Sequence, residues 1–371
     1  MKKLAVIISP NYKEYAAKYL ANCLASLRAQ TFLDFDIFLI DNETSEQSFA
    51  LLRQLAPEIP EARIMRRVHN DGFAGGNNAA LREAIAAGYE WAMLLNMDTE
   101  AAPDCVERLM DAAHDSPSRK DGLPFFGAIQ ARLMLYPKKE IVNSLGNETH
   151  FLGFGFSRAY GDAYDGKAHG LDQAADSQPY PEIAYPSGAA VLFNIEALKK
   201  VGLLDEEMWM YNEDQDLGWR LWLAGYACVL APAAAVYHKY EFSRSIQKYY
   251  WMDRNRIIAI LKNYHLLTLI LIAPAFMVME LGLALFSFQS GWWKEKLAVW
   301  KYFFSRKHWR YIRQERHRIQ SSRVMKENQL ARLIVGRIWY QEIGDAKLKL
   351  VNPLFELYWK AVKLLLSIAR V

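Results

Sequence analysis

Four residues with chemically useful side chains stand at three separate places in the 371-residue chain. Asp98 closes Leu95-Asn96-Met97-Asp98 after an apolar run. Glu213 and Asp214 stand in Tyr211-Asn212-Glu213-Asp214-Gln215-Asp216, ahead of a stretch with helical spacing. His238 follows the apolar Ala233–Tyr237. A carboxylate at a strand exit is a hard oxygen donor, suited to Mg²⁺ or Mn²⁺ bridging diphosphate oxygens. In an extended exit Asn96 and Asp98, two residues apart, face one ligand together. An imidazole after a strand can be a second metal ligand. A carboxylate at a helix start can remove a proton from a hydroxyl. Each position also has a plainer use. Asp98 can cap the loop before Pro103, and His238 can be structural. Glu213 and Asp214 suit the helix dipole, with Asn212 as N-cap and Gln215 as its capping-box partner.

The elements that must position these groups are legible as an alternation. Strands are predicted at Leu4–Ser9, Asp36–Asp41, Ala62–Val68 and Glu90–Leu95. Helices are predicted at Tyr15–Ala29, Ser45–Leu55, Asn77–Ala87 and Pro103–Ala113. Apolar runs alternating with helical stretches imply right-handed crossovers and a mainly parallel sheet, with ligands beyond the C-terminal strand ends. Asp41, the Asn70–Asn78 loop and Asp98 fall at those ends. Asp41 can bind a base or ribose, or merely cap a turn. Gly72, Gly75 and Gly76 permit tight backbone geometry, and the helix start after them offers N–H groups to phosphate or ribose. The plainer reading is a glycine-rich turn capped by Asn77. It is neither a dinucleotide fingerprint nor a P-loop. Residues 125–185 read as irregular loops with short strands, shaping an acceptor pocket. A strand at Ala189–Asn194 and a helix at Ile195–Val201 follow.

At 52% apolar residues and net charge +4, the composition suggests neither disorder nor general polyanion binding, so no nucleic-acid partner is expected. Three scattered cysteines argue for a reducing compartment and against a disulfide framework or zinc site. Met1-Lys2-Lys3 with Leu4–Ile8 is too short and too soon broken for a signal peptide and reads as a buried strand. The region 245–371 differs in kind and is expected to be a helical, basic unit after a catalytic unit 1–244. Leu266–Phe288 is apolar over 23 residues apart from Thr268, Glu280 and Ser287. Its length suits a membrane span. Both flanks are basic, however: Lys239, Arg244, Lys248, Arg254, Arg256 and Lys262 precede it, and twelve Lys/Arg lie from Lys294 to Arg332. That symmetry favours a re-entrant hairpin broken at Pro274, or an interfacial helix pair, over a single span. Trp293, Leu297, Trp300, Phe304 and Tyr311 recur at helical spacing, suited to an anionic headgroup layer, or else to packing on the catalytic unit.

These pieces, in this order, resemble family 2 inverting glycosyltransferases of the GT-A fold, in the branch containing rhamnosyl- and galactofuranosyl-transferases of bacterial surface polysaccharides. The matching segments are Ser9-Pro10-Asn11-Tyr12, Asp41-Asn42, Gly72-Phe73-Ala74-Gly75-Gly76-Asn77, Leu95-Asn96-Met97-Asp98, Ser187-Gly188-Ala189-Ala190, Val201–Glu206, Tyr211–Arg220 and Val236-Tyr237-His238. The resemblance covers about residues 4–245. It implies an α/β GT-A catalytic unit with a Rossmann-like sheet and a membrane-associating helical region behind it. It further implies donor contacts at Pro10, Asn11, Asp41, Asn42, Phe73, Gly76, Asn77, Asn96 and Asp98. Asp98 and His238 become ligands of Mg²⁺ or Mn²⁺. Asp214, with Glu213 beside it, becomes the general base, and Ser187, Gly188 and Trp209 line the acceptor or sugar site. Asn96 replaces the first Asp of a strict DxD, which weakens the inference of metal dependence.

The expected partners are a nucleotide-diphosphate sugar, with dTDP-rhamnose first and UDP-hexoses next, a glycan or lipid-linked acceptor, and an anionic membrane surface. The expected location is the cytoplasmic face of the plasma membrane. Two other readings are a sugar-phosphate nucleotidyltransferase, disfavoured because Pro10-Asn11-Tyr12-Lys13-Glu14 is no basic phosphate loop, and a non-catalytic membrane-bound subunit. A processive synthase is disfavoured by the single apolar stretch and the lack of a Gln-x-x-Arg-Trp segment. Oligomeric state is open.

Overall fold

A computed structural model describes residues 4–56, 62–122, 125–171, 179–240, 246–338 and 346–371. Met1-Lys2-Lys3, Arg244 and the expected division at 244/245 lie outside the described residues. Strand β1 (Leu4–Asn11) is followed by a π-helical turn, Ala16–Leu20, running into α1 (Ala21–Arg28). Then come β2 (Phe35–Asn42), α2 (Glu46–Leu55), β3 (Arg63–Arg67), α3 (Gly72–Ala86) and β4 (Trp91–Leu95). These four strands are parallel, in the order β3-β2-β1-β4. Leu4–Ile8 and Ile37–Ile40 are buried on both faces, which is why they read as unbroken apolar runs.

Past β4 the sheet is mixed rather than parallel. After β5 (Thr99–Ala101) and α4 (Cys105–His114), β6 (Phe126–Leu135) lies beside the edge-joining β7 (Val142–Ser144). The short β8 (Asn147–His150) and β9 (Gly155–Ser157) form a separate sheet. Then follow β10 (Ala190–Asn194), α5 (Ile195–Val201), a 3₁₀ turn Glu206–Met208, α6 (Glu213–Leu223) and β11 (Ala227–His238). β10 enters antiparallel between β4 and β6, and β11 runs parallel to β6. The irregular reading of 125–185 therefore needs correction at Phe126–Leu135. This ten-residue strand sits mid-sheet with most side chains buried, and the Gln130 and Arg132 among its apolar residues masked it.

Two further expectations give way. The Asn70–Asn78 segment is not a loop: helix starts at Gly72, and Asn77 is in its second turn, donating Nδ2 to Phe73 O at 2.9 Å. The glycines are needed by the neighbours. A Cβ on Gly76 would lie 2.3 Å from Pro10 Cγ, and one on Gly72, which has φ +69°, 2.3 Å from Trp209 O. Nor does the strand after Leu95 leave extended. Residues 96–99 turn, with Thr99 N donating to Asn96 O at 3.2 Å, so Asn96 and Asp98 are not alternate residues of one strand.

The C-terminal part comprises α7 (Lys248–Asn263), α8 (Leu266–Gln289), α9 (Trp293–Phe303), α10 (Arg306–Ser321), α11 (Glu327–Leu330), a 3₁₀ turn Ala331–Leu333, β12 (Ile334–Val335) and α12 (Ala346–Ile368). It is fastened to the first part. β12 pairs with β8, and buried Lys262 Nζ on α7 lies 3.0 Å from buried Asp216 Oδ1 on α6. The hairpin expected at Pro274 does not form, because α8 continues through it, with the proline on its exposed side. The aromatic stripe also divides. Trp300 donates to Glu280, Tyr311 reaches inward to Asp205, and Phe304 is 87% exposed.

Candidate active site

Asp98 and His238 meet. His238 Nε2 lies 3.3 Å from Asp98 Oδ1, and both residues are buried. Their elements explain this: β5 pairs antiparallel with the end of β11, Thr99 opposite His238. Nδ1 of His238 faces the amide oxygen of Asn143 at 3.0 Å. With Nδ1 as the donor to that oxygen, Nε2 would be left to ligate a cation beside the carboxylate, the arrangement in which an outer hydrogen bond orients a metal-binding imidazole. No group of three or more His, Cys, Asp or Glu able to hold a metal occurs among the described residues. Asp98 and His238 would supply an oxygen and a nitrogen donor to a divalent cation.

Asp214 stands at the start of α6, partly exposed. Its Oδ2 accepts from Gly188 N at 3.1 Å and its Oδ1 from Gln215 N at 2.8 Å. Burial of the carboxylate pushes its pKa up, and those backbone donors pull it back, leaving it raised to about 6. Glu213 is buried more deeply. Burial, then the neighbouring Asp214 charge, raises it well above the usual carboxylate range. One carboxylate is thus raised to about 6, and its neighbour is pushed further up by deeper burial. Asn212 precedes them at φ +65° and does not cap; its Nδ2 donates to Gln215 Oε1 at 2.6 Å, so the expected capping box is absent.

The backbone of Ser187–Ala189 links the two centres. Gly188 holds Asp214, while Ala189 O accepts from Asn96 N at 2.8 Å. Ser187 N donates to Gln130 Oε1 at 2.7 Å, so β6 sets the height of this segment. A Cβ on Gly188 would sit 3.1 Å from the Phe73 ring and 3.9 Å from Asp214 Cβ, which puts Phe73, Gly188 and Asp214 at one place. Trp209 arches over the start of α3. It has φ +63°, accepts from Ala74 N at 3.1 Å, donates Nε1 to Asn70 O at 3.3 Å and stacks on Trp251.

The residues expected at the nucleotide form a buried lattice at the ends of β1 and β2 and the start of α3. Asp41 is fully buried against Asn11, Thr44 and Arg66. Asn11 accepts from Ala16 N at 2.9 Å, and Asn42 ties Asn70, Gly72 O and Asp71 N together. Pro10 packs on Gly76. In this structure Asp41, Asn11 and Asn42 act on their neighbours, and Thr44 and Arg66 carry the surface beside them. Among the described residues, buried polar side-chain atoms without a partner include Asn77 Oδ1, Asn96 Oδ1, Asn212 Oδ1 and Glu213 Oε2, each on a segment that carries an expected site residue.

Three side chains that the sequence reading did not single out, Gln130, Asn143 and Asn255, complete the arrangement, with Lys262, which it read only as part of a basic flank. Asn255, wholly buried on α7, donates Nδ2 to Met208 O, Met210 O and Tyr211 O at 2.9, 2.9 and 2.7 Å. It thereby braces the run whose Trp209, Tyr211 and Asn212 all have positive φ.

A family model described as glycosyl transferase family 2 matches residues 6–201. The chain is 27% identical over 231 residues to N-acetylglucosaminyl-diphospho-decaprenol L-rhamnosyltransferase of Mycobacterium tuberculosis, covering 59% of this chain and 71% of that protein. A crystal structure of GalNAc-T7 with UDP, GalNAc and Mn²⁺ is similar at TM-score 0.54 and 12% identity, over 71% of this chain and 48% of that one. The Pyrobaculum calidifontis mannosyltransferase PcManGT, in complex with GDP-Man and Mn²⁺, aligns at TM-score 0.49 and 15% identity, over 80% of this chain and 84% of that one. The architecture, a mixed central sheet with flanking helices and a helical C-terminal region, is that of GT-A glycosyltransferases.

Proposed function

This chain belongs to glycosyl transferase family 2, and from that premise we propose that it moves a sugar, with rhamnose the first expectation, from a nucleotide-diphosphate donor to a hydroxyl of a glycan or lipid-linked acceptor. Asp214 removes the acceptor proton as that oxygen attacks the anomeric carbon. The bond from that carbon to the diphosphate oxygen breaks on the opposite face, the electron pair leaves with the nucleoside diphosphate, and the centre inverts. The observation that supports this reading is Asp214, a partly exposed carboxylate at the start of α6, held by Gly188 N and raised to about 6. A base poised near the working pH combines the correct protonation state with driving force.

Asp98 and His238 would hold a Mg²⁺ or Mn²⁺ ion, which offsets charge on the departing diphosphate; the Mn²⁺ in the GalNAc-T7 structure supports the choice. Gly188 and Phe73 beside Asp214, with Trp209 over the start of α3, would confine the transferred sugar. The mycobacterial relative's name specifies a decaprenyl-diphosphate-linked acceptor. With an acceptor of that class the enzyme would work at the cytoplasmic face of the plasma membrane, as a peripheral or monotopic protein. Purified full-length protein, given Mn²⁺, a polyprenyl-diphosphate-linked N-acetylglucosamine and a panel of dTDP-, UDP- and GDP-sugars, should release nucleoside diphosphate from one donor, dependent on acceptor. Release of pyrophosphate instead, or no turnover with any donor, would overturn the proposal.

A further inference from the structure

Helix α8 is long and apolar enough to cross a membrane by length and composition, yet its attachments describe another posture. It is fastened to the protein along its length. Thr268 in its first turn donates to Glu327 Oε1 at 2.6 Å, and Leu271 O accepts from Tyr358 on α12 at 2.6 Å. In its middle, Glu280 pairs with buried Arg256 on α7 and lies 2.7 Å from buried Lys296 on α9, with Asp253 closing the cluster at 2.7 Å from Lys296. The opposite stripe, Ile270, Met277, Leu281, Leu285 and Phe288, is 61–75% exposed. α12 repeats the pattern beside it. Phe355, Trp359, Val362 and Leu366 are buried, while Leu354, Leu357, Leu364 and Ile368 are 62–69% exposed.

A spanning α8 would have to leave Arg256, Asp253 and Lys296 without their fourth partner, and stripping one member from a buried ion cluster is strongly destabilising. We propose that α8 and α12 lie side by side in the membrane plane, as one apolar face sunk into the headgroup–acyl boundary, and that α8 does not cross. The occupant is a bilayer with anionic headgroups. Residues 294–332 hold twelve Lys/Arg against three acids, Glu295, Glu315 and Glu327. Glu327 is buried and Glu315 is paired with Arg318. Ring contacts from Phe288 to Trp293 to Trp300 carry the surface from α8 into α9. Beyond α9, exposed Phe304 and Trp309 flank Arg306, Arg310 and Arg313 in an open groove. Apolar stripe, aromatic belt and basic rim together are the signature of an interfacial helix pair.

The inference rests on the membrane location proposed above and is tested so that the two can fail separately. In inside-out membrane vesicles from producing cells, a membrane-impermeant maleimide should label Lys199→Cys on the catalytic side and Ser290→Cys past the end of α8 equally; both positions are exposed, and the native Cys23, Cys105 and Cys228 are buried. Protection of Ser290→Cys until detergent is added would overturn the in-plane posture and leave the location standing. In a second arm, full-length protein should co-sediment with phosphatidylcholine–phosphatidylglycerol vesicles. Leu281→Glu/Leu285→Glu should weaken that binding at least tenfold at unchanged Tm, and Arg306→Glu/Arg310→Glu/Arg313→Glu should abolish the preference for the anionic lipid. Failure of the unaltered protein to bind these vesicles would overturn the location and the posture together, and full binding by the leucine variant would overturn the assigned face.

Discussion

At the scale of single residues, the two adjacent carboxylates of α6 should separate cleanly. Asp214→Asn is expected to lower turnover by at least a factor of about 10²–10⁴ while leaving nucleotide binding, read by calorimetry, within a fewfold. Glu213→Gln removes a carboxyl whose pKa burial already pushes well above its usual range, so it should retain most activity; equal loss in both variants would remove the distinction. With Asp214 as the proposed base, ionised in order to act, kcat/KM should rise with pH through about 6. A raised carboxylate works against folding. Its contribution to stability is complete below the unfolded value of 3.8 and is lost as pH rises through about 6. Asp214→Asn should therefore raise Tm at pH 7.5 even as it removes activity, a trade of stability for function that a purely structural N-terminal acid would not show. For the outer hydrogen bond of His238, Asn143→Ala should raise the Mn²⁺ concentration needed for half-maximal activity by about 10–100-fold, read as a metal titration against intact protein.

Among the elements, α7 carries more of the site than its place in the chain suggests. Asn255→Leu would leave the carbonyls of residues 208, 210 and 211 without their buried donor, at about 1–3 kcal/mol for each group left unpaired. Lower Tm together with lower kcat is expected, since the positive-φ run beneath Trp209 loses its brace. Asp216 works in the opposite sense to Asp214. Burial raises it, but Lys262 and then Arg220 outweigh burial and bring it down to about 2. Its contribution to stability is thus present above 3.8 and is lost as pH falls through about 2. The sequence disclosed the elements whose periodicity was unmixed: β1, β2, β4 and α6 are near their predicted places, and Asp98, Asp214 and His238 stand at the predicted strand and helix ends. Fully buried β6 was lost to its polar Gln130, whose side chain is spent on Ser187. Helix α3 was begun too late because glycines tolerated in a helix only for close packing on Pro10 and Trp209 look like loop residues. Asn255 and Lys262 had no local signal at all, since their purpose lies forty residues or more away on another element.

For the molecule as a whole, the consequence is that the catalytic sheet and the helices behind it fold as partners. A chain ended after residue 245 keeps every residue of the family match but loses Lys262, Asn255 and β12. Breaking one side of a buried pair such as Asp216–Lys262 costs about 3–5 kcal/mol, a large share of an ordinary domain's stability. Such a truncation is expected to lack a cooperative thermal transition, by calorimetry, where the full chain shows one; a sharp transition near the full-length Tm would show the first part to be self-sufficient.

Glu280 also bears on how the protein is made. Its partners are synthesised at different times, Arg256 before it and Lys296 after it, so the cluster cannot close until the ribosome has passed Lys296. During that interval the nascent segment holds a lone acid at its midpoint, and moving such a group to the centre of hydrocarbon costs about 2.5–3.5 kcal/mol. That penalty disfavours sideways release of the segment from the insertion machinery. On the in-plane posture proposed above, maturation in water would come first and adsorption to lipid would follow as a later, reversible event.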